Sequence, residues 1–308
     1  MDCSEGTFGQ LYDHFQSIEI VRQLLWNLRV IYITHMHGDH HMGLVKILCE
    51  RDTAIQTFFD DEFVSQNYDN LSIYVIIPFF MEKWILMGTE HIKHKHLIKI
   101  IPSKVLNPEP EGFYYLDDPY PVNECIPRPR AKWESRTNEE WTKLIEAMEA
   151  NRSEDVTELH RVLNDQLGIK RIYAVEAFHC YEAFGWMLEA DDWRIFYSGD
   201  TKPNQNYLNY GSGTTLLIHE ATFENSLEKD AEMKWHTTTG QAINVGINIG
   251  AWRTCLTHFS PRYKVAELTE DHFKYNVMSS MDHLRLKLSD FEWAYRTLEM
   301  FNLFADEE

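Results

Sequence analysis

Residues 28–44 read Leu-Arg-Val-Ile-Tyr-Ile-Thr-His-Met-His-Gly-Asp-His-His-Met-Gly-Leu. The first seven form a β-branched apolar run, which predicts a buried strand. That run ends directly in His35-Met36-His37-Gly38-Asp39-His40, which packs four imidazole or carboxylate ligands into six residues. Gly38 permits a tight turn, and the stretch from Gly43 to Cys49 then reads as a helix. One tetrahedral ion cannot use four ligands so close together, so the spacing suits two divalent ions sharing one loop. The plainer alternative is a group of core histidines with satisfied hydrogen bonds, and the density of the motif argues against it.

The same layout recurs downstream. Strand-like runs at 171–178, 193–197, 215–218 and 253–257 lead into His179, Asp200, His219-Glu220 and His258. Strands that each end in a polar, metal-compatible residue assemble an active site at the edge of a β scaffold. Seven candidate ligands result: His35, His37, Asp39, His40, His179, Asp200 and His258. His179 and His258 would close one ion each, and Asp200 can bridge both through its two oxygens. Taken alone, either distant histidine reads far more readily as a core residue than the loop does. Imidazole and carboxylate suit zinc, and manganese can occupy the same ligands. Two such ions about 3.5–4 Å apart activate water at neutral pH for attack on phosphodiester or acyl bonds.

Composition bounds the rest. A hydrophobic content of 44% with nine Trp and seventeen Phe in 308 residues is ample for a substantial core. The net charge of −19 speaks against indiscriminate binding to nucleic acid, which normally needs a basic face. Two local exceptions stand out, His91-Ile-Lys-His-Lys-His96 with Lys99 and Lys104, and Arg128-Pro-Arg-Ala-Lys132. Each by itself reads more simply as solvated charge. Five cysteines without a CxxC pair imply neither a zinc ribbon nor a disulfide framework, and point to a reduced, intracellular protein. The N-terminus shows no targeting signal. The apolar stretch 71–87 is interrupted by Glu82 and Lys83, so no membrane span is expected. Residues 102–168 differ in character, being Pro-rich first and helical later. Thr137-x-x-Glu140 is a capping box before Trp141, Leu144, Ile145 and Met148, while Leu159, Leu163 and Leu167 mark a second helix stopped by Gly168. This reads as a partly helical surface insertion within a single domain spanning 1–308. Residues 281–304 read as a further helix.

The histidine loop resembles that of the metallo-β-lactamase superfamily. That resemblance implies an α/β (α+β) fold, an αββα sandwich with its site at one edge of the sheets. Neighbouring words narrow it: Asp2-Cys-Ser-Glu-Gly-Thr-Phe-Gly-Gln10, Thr34-His-Met-His-Gly-Asp-His-His-Met-Gly-Leu44, Ala183-Phe-Gly185, His219-Glu-Ala-Thr-Phe223, His236-Thr-Thr and His258-Phe-Ser-Pro-Arg-Tyr263. As an ordered set they are similar to RNase Z, the tRNA 3′-processing endonucleases. The resemblance implies two Zn2+ ions, with His35, His37 and His179 on one, Asp39, His40 and His258 on the other, and Asp200 bridging. It makes Asp39 the group that orients or deprotonates the attacking water. Glu220 and His236 become a pair that delivers a proton to the leaving ribose oxygen. Asp2 resembles a carboxylate that orients ligands without touching metal. His41 reads as support for its neighbours and His14 as a surface residue. The implied activity is removal of the 3′ trailer from precursor tRNA, leaving a 3′-hydroxyl, in the nucleus and/or mitochondrion.

Two departures qualify the expectation. The family's Pro-x-Lys-x-Arg-Asn loop should lie upstream of Asp2 and is absent, so the sandwich is expected to be N-terminally truncated. Only 21 positions lead from His179 to Asp200, too few for the tRNA-gripping arm of the short forms. An armless catalytic half resembles the C-terminal half of the long eukaryotic form, which makes a missing N-terminal segment or half a further partner. The rival readings are a hydrolase of small phosphodiesters or esters on the same fold, and a truncated chain inactive without its partner segment.

Overall fold

Alternate residues of the strand entering the histidine loop face two different cores, and this sets the layers. A computed structural model describes residues 1–107, 154–260 and 276–292. The first part contains α1 (Thr7–Phe15), α2 (Ile18–Asn27), β1 (Val30–Tyr32), α3 (Gly38–His41), α4 (Leu44–Phe58), α5 (Asp61–Gln66), α6 (Tyr68–Leu71), β2 (Ile73–Ile77), α7 (Glu82–Gly88) and β3 (Ile98–Pro102). The second part begins with α8 (154–167), followed by β4 (Arg171–Glu176), β5 (Phe184–Glu189), β6 (Arg194–Tyr197) and α9 (Gln205–Tyr210). Then come β7 (Leu216–Glu220), α10 (Glu228–Lys234), α11 (Thr239–Asn248), β8 (Arg253–Thr257) and finally β9 (Val277–Ser279).

Strands β1, β2 and β3 make a parallel sheet, and β4 to β9 make a mixed one in sequential order. Ile31, Ile33, Ile73, Val75 and Ile77 pack outward with Val21, Leu25, Leu44 and Leu48 of α2 and α4. Tyr32, Tyr74 and Ile76 point the other way and meet Ile172, Ala174, Phe184 and Trp186 of the second sheet. On that sheet's far face Val175, Met187 and Leu217 pack with Tyr207 of α9, Val245 of α11 and Ile249, which caps α11. The two-residue side-chain period of strands therefore yields helix, sheet, sheet, helix, the expected αββα sandwich.

Several expectations shift. The strand read over 28–34 shortens to β1, because Leu28 caps α2 and the Thr34 amide bonds the Asp2 side chain rather than a neighbouring strand. The helix read over 43–49 runs on to Phe58, carrying Arg51 and Asp52 into the interior. Those two residues break the apolar pattern, yet both are satisfied: Arg51 donates to carbonyls of Trp26, Leu28 and Leu71, and Asp52 accepts from the Lys93 and His94 amides. The apolar stretch 71–87 divides into β2 and α7, and no helix among the described residues is long and apolar enough to cross a membrane. Leu159, Val162 and Leu163 of α8 are buried in the core between the sheets, rather than lying on the surface. Gly168, with φ +65, ends that helix. Residues 281–287 are turn and loop, followed by a 3-10 turn at Leu288–Glu292, where a helix was expected. The Thr137–Glu140 box, the apolar face from Trp141 to Met148, the Arg128–Lys132 patch and residues 293–308 lie outside the described residues. In the other basic patch, His94 is buried against Asp52, Lys93 pairs with Asp61 and Lys99 with Asp155.

The N-terminal residues lock the histidine loop in place. Cys3 donates its amide to the His40 carbonyl (2.6 Å), and Gly43 donates to the Cys3 carbonyl (2.9 Å). A Cβ on Gly43 would lie 1.9 Å from the Ser4 carbonyl oxygen, a backbone atom that cannot swing away. Gly43→Ala is therefore expected to lower unfolding stability by about 1–3 kcal/mol through overpacking. The urea midpoint measures this, and an unchanged midpoint would show that the N-terminal segment does not hold the loop.

Candidate metal centre

The loops after β1, β4, β6 and β8 converge at one end of the two sheets. His35 Nε2 lies 3.0 Å from His37 Nδ1, and His179 Nε2 lies 2.9 Å from that same atom. Three ring nitrogens crowded this closely cannot all be satisfied by hydrogen bonds to one another, whereas a shared cation serves all three. Asp200 Oδ2 lies beside them, 3.7 Å from His35 and 3.8 Å from His179. On its other side the same oxygen lies 3.3 Å from His40 Nε2 and 3.6 Å from His258 Nε2. Asp39 Oδ2 completes the second group at 3.6 Å from His40 and 3.5 Å from His258. Ligand atoms of His35, His37, His179 and Asp200 all lie within 4.8 Å of one another, as do those of Asp39, His40 and His258. The structure thus brings together all seven candidate ligands, with Asp200 between the two groups. His40 Nε2 is buried and has no hydrogen-bond partner among the described residues, so the donor set suits a pair of borderline cations.

The outward ring nitrogens explain how these side chains are held. His40 Nδ1 pairs with Asp2 Oδ2 at 2.9 Å, and His179 Nδ1 donates to the Trp235 carbonyl at 2.8 Å. His35 Nδ1 meets Thr34 Oγ1 at 3.0 Å and His258 Nδ1 meets Thr222 Oγ1 at 2.9 Å. Asp2 sits with φ 48, held there by Thr34, His40 and Tyr197. None of Thr34, Thr222, Tyr197 and Trp235 emerges from the sequence reading as a site residue. The threonines carried a signal, standing directly before His35 and within His219-Glu-Ala-Thr. Trp235 acts through its backbone and left none.

Electrostatics divide the histidines of the polypeptide alone. Burial pulls His35 down to about 2 and His179 down to about 4, and also lowers His37. Burial acts the same way on His40, but its hydrogen bond to Asp2 and the neighbouring Asp200 carboxylate overcome it and hold the group at about 10. His258 is likewise lowered by burial but raised on balance by Asp39 and the nearby carboxylates. Asp39, held by the His258 hydrogen bond, and Asp200, buried but ringed by imidazoles, both stay below the usual carboxylate range.

Glu220 and His236 adjoin this cluster. His236 Nδ1 lies 2.9 Å from Glu220 Oε1 and 3.9 Å from Asp200 Oδ2. Glu220 is fully buried and accepts further bonds from the amides of Thr201, Thr222 and Thr237. His219, next to it on β7, bonds the Glu220 carbonyl and lies outside the ligand groups, since adjacent strand residues face opposite ways. His41 is half-buried and bonds the His37 carbonyl, and His14 is exposed.

An αββα sandwich with paired His/Asp clusters at one sheet edge defines the class: this is a metallo-β-lactamase-fold protein. It superposes on human tRNase Z, short form, with TM-score 0.55 at 19% identity, over 93% of this chain and 86% of that one. Within the class its sequence is similar to ribonucleases Z. It is 30% identical to Rattus norvegicus zinc phosphodiesterase ELAC protein 2 over 100% of this chain and 32% of the relative. It is 29% identical to Drosophila melanogaster ribonuclease Z, mitochondrial, over 99% of this chain and 33% of the relative. The long form RNase Z from yeast superposes with TM-score 0.66 at 25% identity, covering 93% of this chain and 36% of that one. The chain thus spans about a third of the length of these relatives. No family model matches it.

Proposed function

We propose that this chain is the catalytic part of a zinc-dependent endoribonuclease that removes the 3′ trailer from precursor tRNA. The observation that carries this reading is the meeting of two ligand groups at Asp200, with the Glu220–His236 pair against the same carboxylate. The names of the relatives, zinc phosphodiesterase and ribonuclease Z, support it. The mitochondrial name of the fly relative supports a mitochondrial setting.

His35, His37 and His179 would hold one zinc ion, Asp39, His40 and His258 the other, with Asp200 between them. Paired ions of this kind lower the pKa of water and stabilise charge on an attacked phosphoryl oxygen. Asp39 has its side chain 67% exposed, so its carboxylate can meet the attacking water, orient it and take its proton. His236 is anchored by Glu220 through Nδ1, which leaves Nε2 to protonate the ribose 3′-oxygen as it departs. The products are a tRNA 3′-hydroxyl and a trailer 5′-phosphate.

The net charge of −19 and the paired lysines of the 91–104 patch favour a second reading, hydrolysis of small phosphodiesters. Phosphate contacts supply most affinity for nucleic acid, so the two readings separate kinetically. Zinc-loaded protein is expected to cleave a 3′-extended precursor tRNA next to the discriminator base with kcat/KM far above that for bis(p-nitrophenyl) phosphate. Cleavage of the small diester alone would select the second reading.

Zinc uptake should also release protons. His40, held at about 10, carries its proton at pH 7, and a ligand nitrogen must lose it. Binding at pH 7 is expected to expel at least one proton per chain, and apparent affinity should rise with pH towards that value. Calorimetry in two buffers of different ionisation enthalpy measures the number, and no buffer dependence would contradict the assignment of His40.

A further inference from the structure

We propose that two carboxylate–threonine relays, Asp2–Thr34–His35 and Glu220–Thr222–His258, decide which ring nitrogen these histidines turn to the ion-binding centre. The inference rests on the metal centre proposed above and concerns residues with no role assigned there, Thr34 and Thr222. Thr34 Oγ1 lies 3.1 and 3.0 Å from the two Asp2 carboxylate oxygens. An ionised carboxylate only accepts, so the single hydroxyl hydrogen of Thr34 is committed to Asp2. What remains on Oγ1 is acceptor capacity, and His35 Nδ1 stands 3.0 Å away. That nitrogen must therefore be the N–H, which leaves the Nε2 lone pair facing His37 Nδ1 and Asp200.

The second relay repeats this logic with different residues. Thr222 Oγ1 donates to Glu220 Oε2 at 2.5 Å and stands 2.9 Å from His258 Nδ1. His236 Nδ1 is a weaker contender for the same hydroxyl at 3.3 Å, since it has Glu220 Oε1 at 2.9 Å. His258 Nδ1 is thus the donor, and Nε2 is turned to Asp39 and Asp200.

There is one relay for each ligand group. Each starts from a carboxylate that also grips a second imidazole, His40 for Asp2 and His236 for Glu220. Tyr197 OH donates to Asp2 at 3.1 Å and fixes that carboxylate from the second sheet. The arrangement sets the tautomer before any ion arrives, because the proton on one ring nitrogen follows the hydrogen bond made by it. Thr34 and Thr222 are thereby positioning residues.

The test uses Thr34→Val and Thr222→Val, which keep shape and remove the hydroxyl, with Thr→Ser at each position as the rescue. Zinc affinity is read by competition with a chromophoric chelator and histidine tautomers by long-range 15N NMR. Each valine variant should bind zinc about 10–100-fold more weakly, as losses behind a metal ligand generally do, and each serine variant should recover. In the wild type, His35 should carry its proton on Nδ1 without zinc, a measurement independent of whether the valine variants fold. Unchanged affinity in the valine variants, no recovery with serine, or a wild-type His35 protonated only on Nε2 would overturn the relays. If wild-type protein takes up no zinc at all, the metal-centre reading fails instead.

Discussion

Asp200→Ala is expected to abolish activity, with turnover falling at least about 10⁴-fold, the equivalent of the several kcal/mol of charge stabilisation that paired ions provide. Among the described residues no other carboxylate adjoins both ligand groups. Its Oδ2 is 3.3 Å from His40, 3.6 Å from His258, 3.7 Å from His35 and 3.8 Å from His179, so one oxygen serves both ligand groups. Removing it takes a ligand from each and leaves the imidazoles without their common counter-charge. The outward anchors survive, because His40 keeps Asp2, His179 keeps the Trp235 carbonyl, and the threonines keep His35 and His258. The variant should therefore fold. Native mass spectrometry is expected to find two zinc ions per chain in the wild type and at most one in this variant. Full occupancy in a folded Asp200→Ala protein would contradict the shared role of this residue.

His236→Ala is expected to act in a different place. Its ligand atom also lies within 4.8 Å of those of Asp200 and His258, but its Nδ1 belongs to Glu220, so it is placed outside the groups of four and three ligands proposed for the ions. Zinc content should stay at the wild-type level while cleavage of precursor tRNA slows by about 10²–10⁴-fold, the usual contribution of a general acid. A ribose 3′-oxygen is a poor leaving group and needs the proton, whereas p-nitrophenolate leaves without one. The loss on bis(p-nitrophenyl) phosphate should accordingly be small. An equal loss on both substrates would place His236 in substrate or ion binding and remove it from proton transfer. Glu220 is a worse position for this experiment. Its carboxylate satisfies two buried amides and a third partly buried one, and each buried one left unpaired costs about 1–3 kcal/mol, so a kinetic effect would be mixed with unfolding.

The parts of the fold legible in the sequence are those governed by short-range pattern. The run from Val30 to Ile33 and the strands at 171–176, 194–197 and 253–257 announce themselves by β-branched and apolar residues, and each ends near a ligand. Helix α4 was legible only as far as Cys49, because Arg51 and Asp52 look like surface residues until their partners at Leu71 and His94 are brought in by the fold. The helices α1 and α2 before β1 gave no comparable signal, being amphipathic with exposed Ile18, Ile20 and Leu24 beside buried Val21 and Leu25. At the site, the ligand residues were legible because their chemistry is specific to their type. Their supports were not, since a threonine hydroxyl or a backbone carbonyl takes its role from position alone. Asp2 was placed by resemblance, and its left-handed φ of 48 together with four donors explains why that residue sits against the histidine loop.

Whether this cluster holds two ions side by side can be read from diffraction by zinc-soaked crystals at the zinc absorption edge. Two anomalous peaks about 3.5–4 Å apart are expected, one against His35, His37 and His179, the other against Asp39, His40 and His258, with Asp200 touching both. A single peak, or two peaks away from Asp200, would contradict the paired centre.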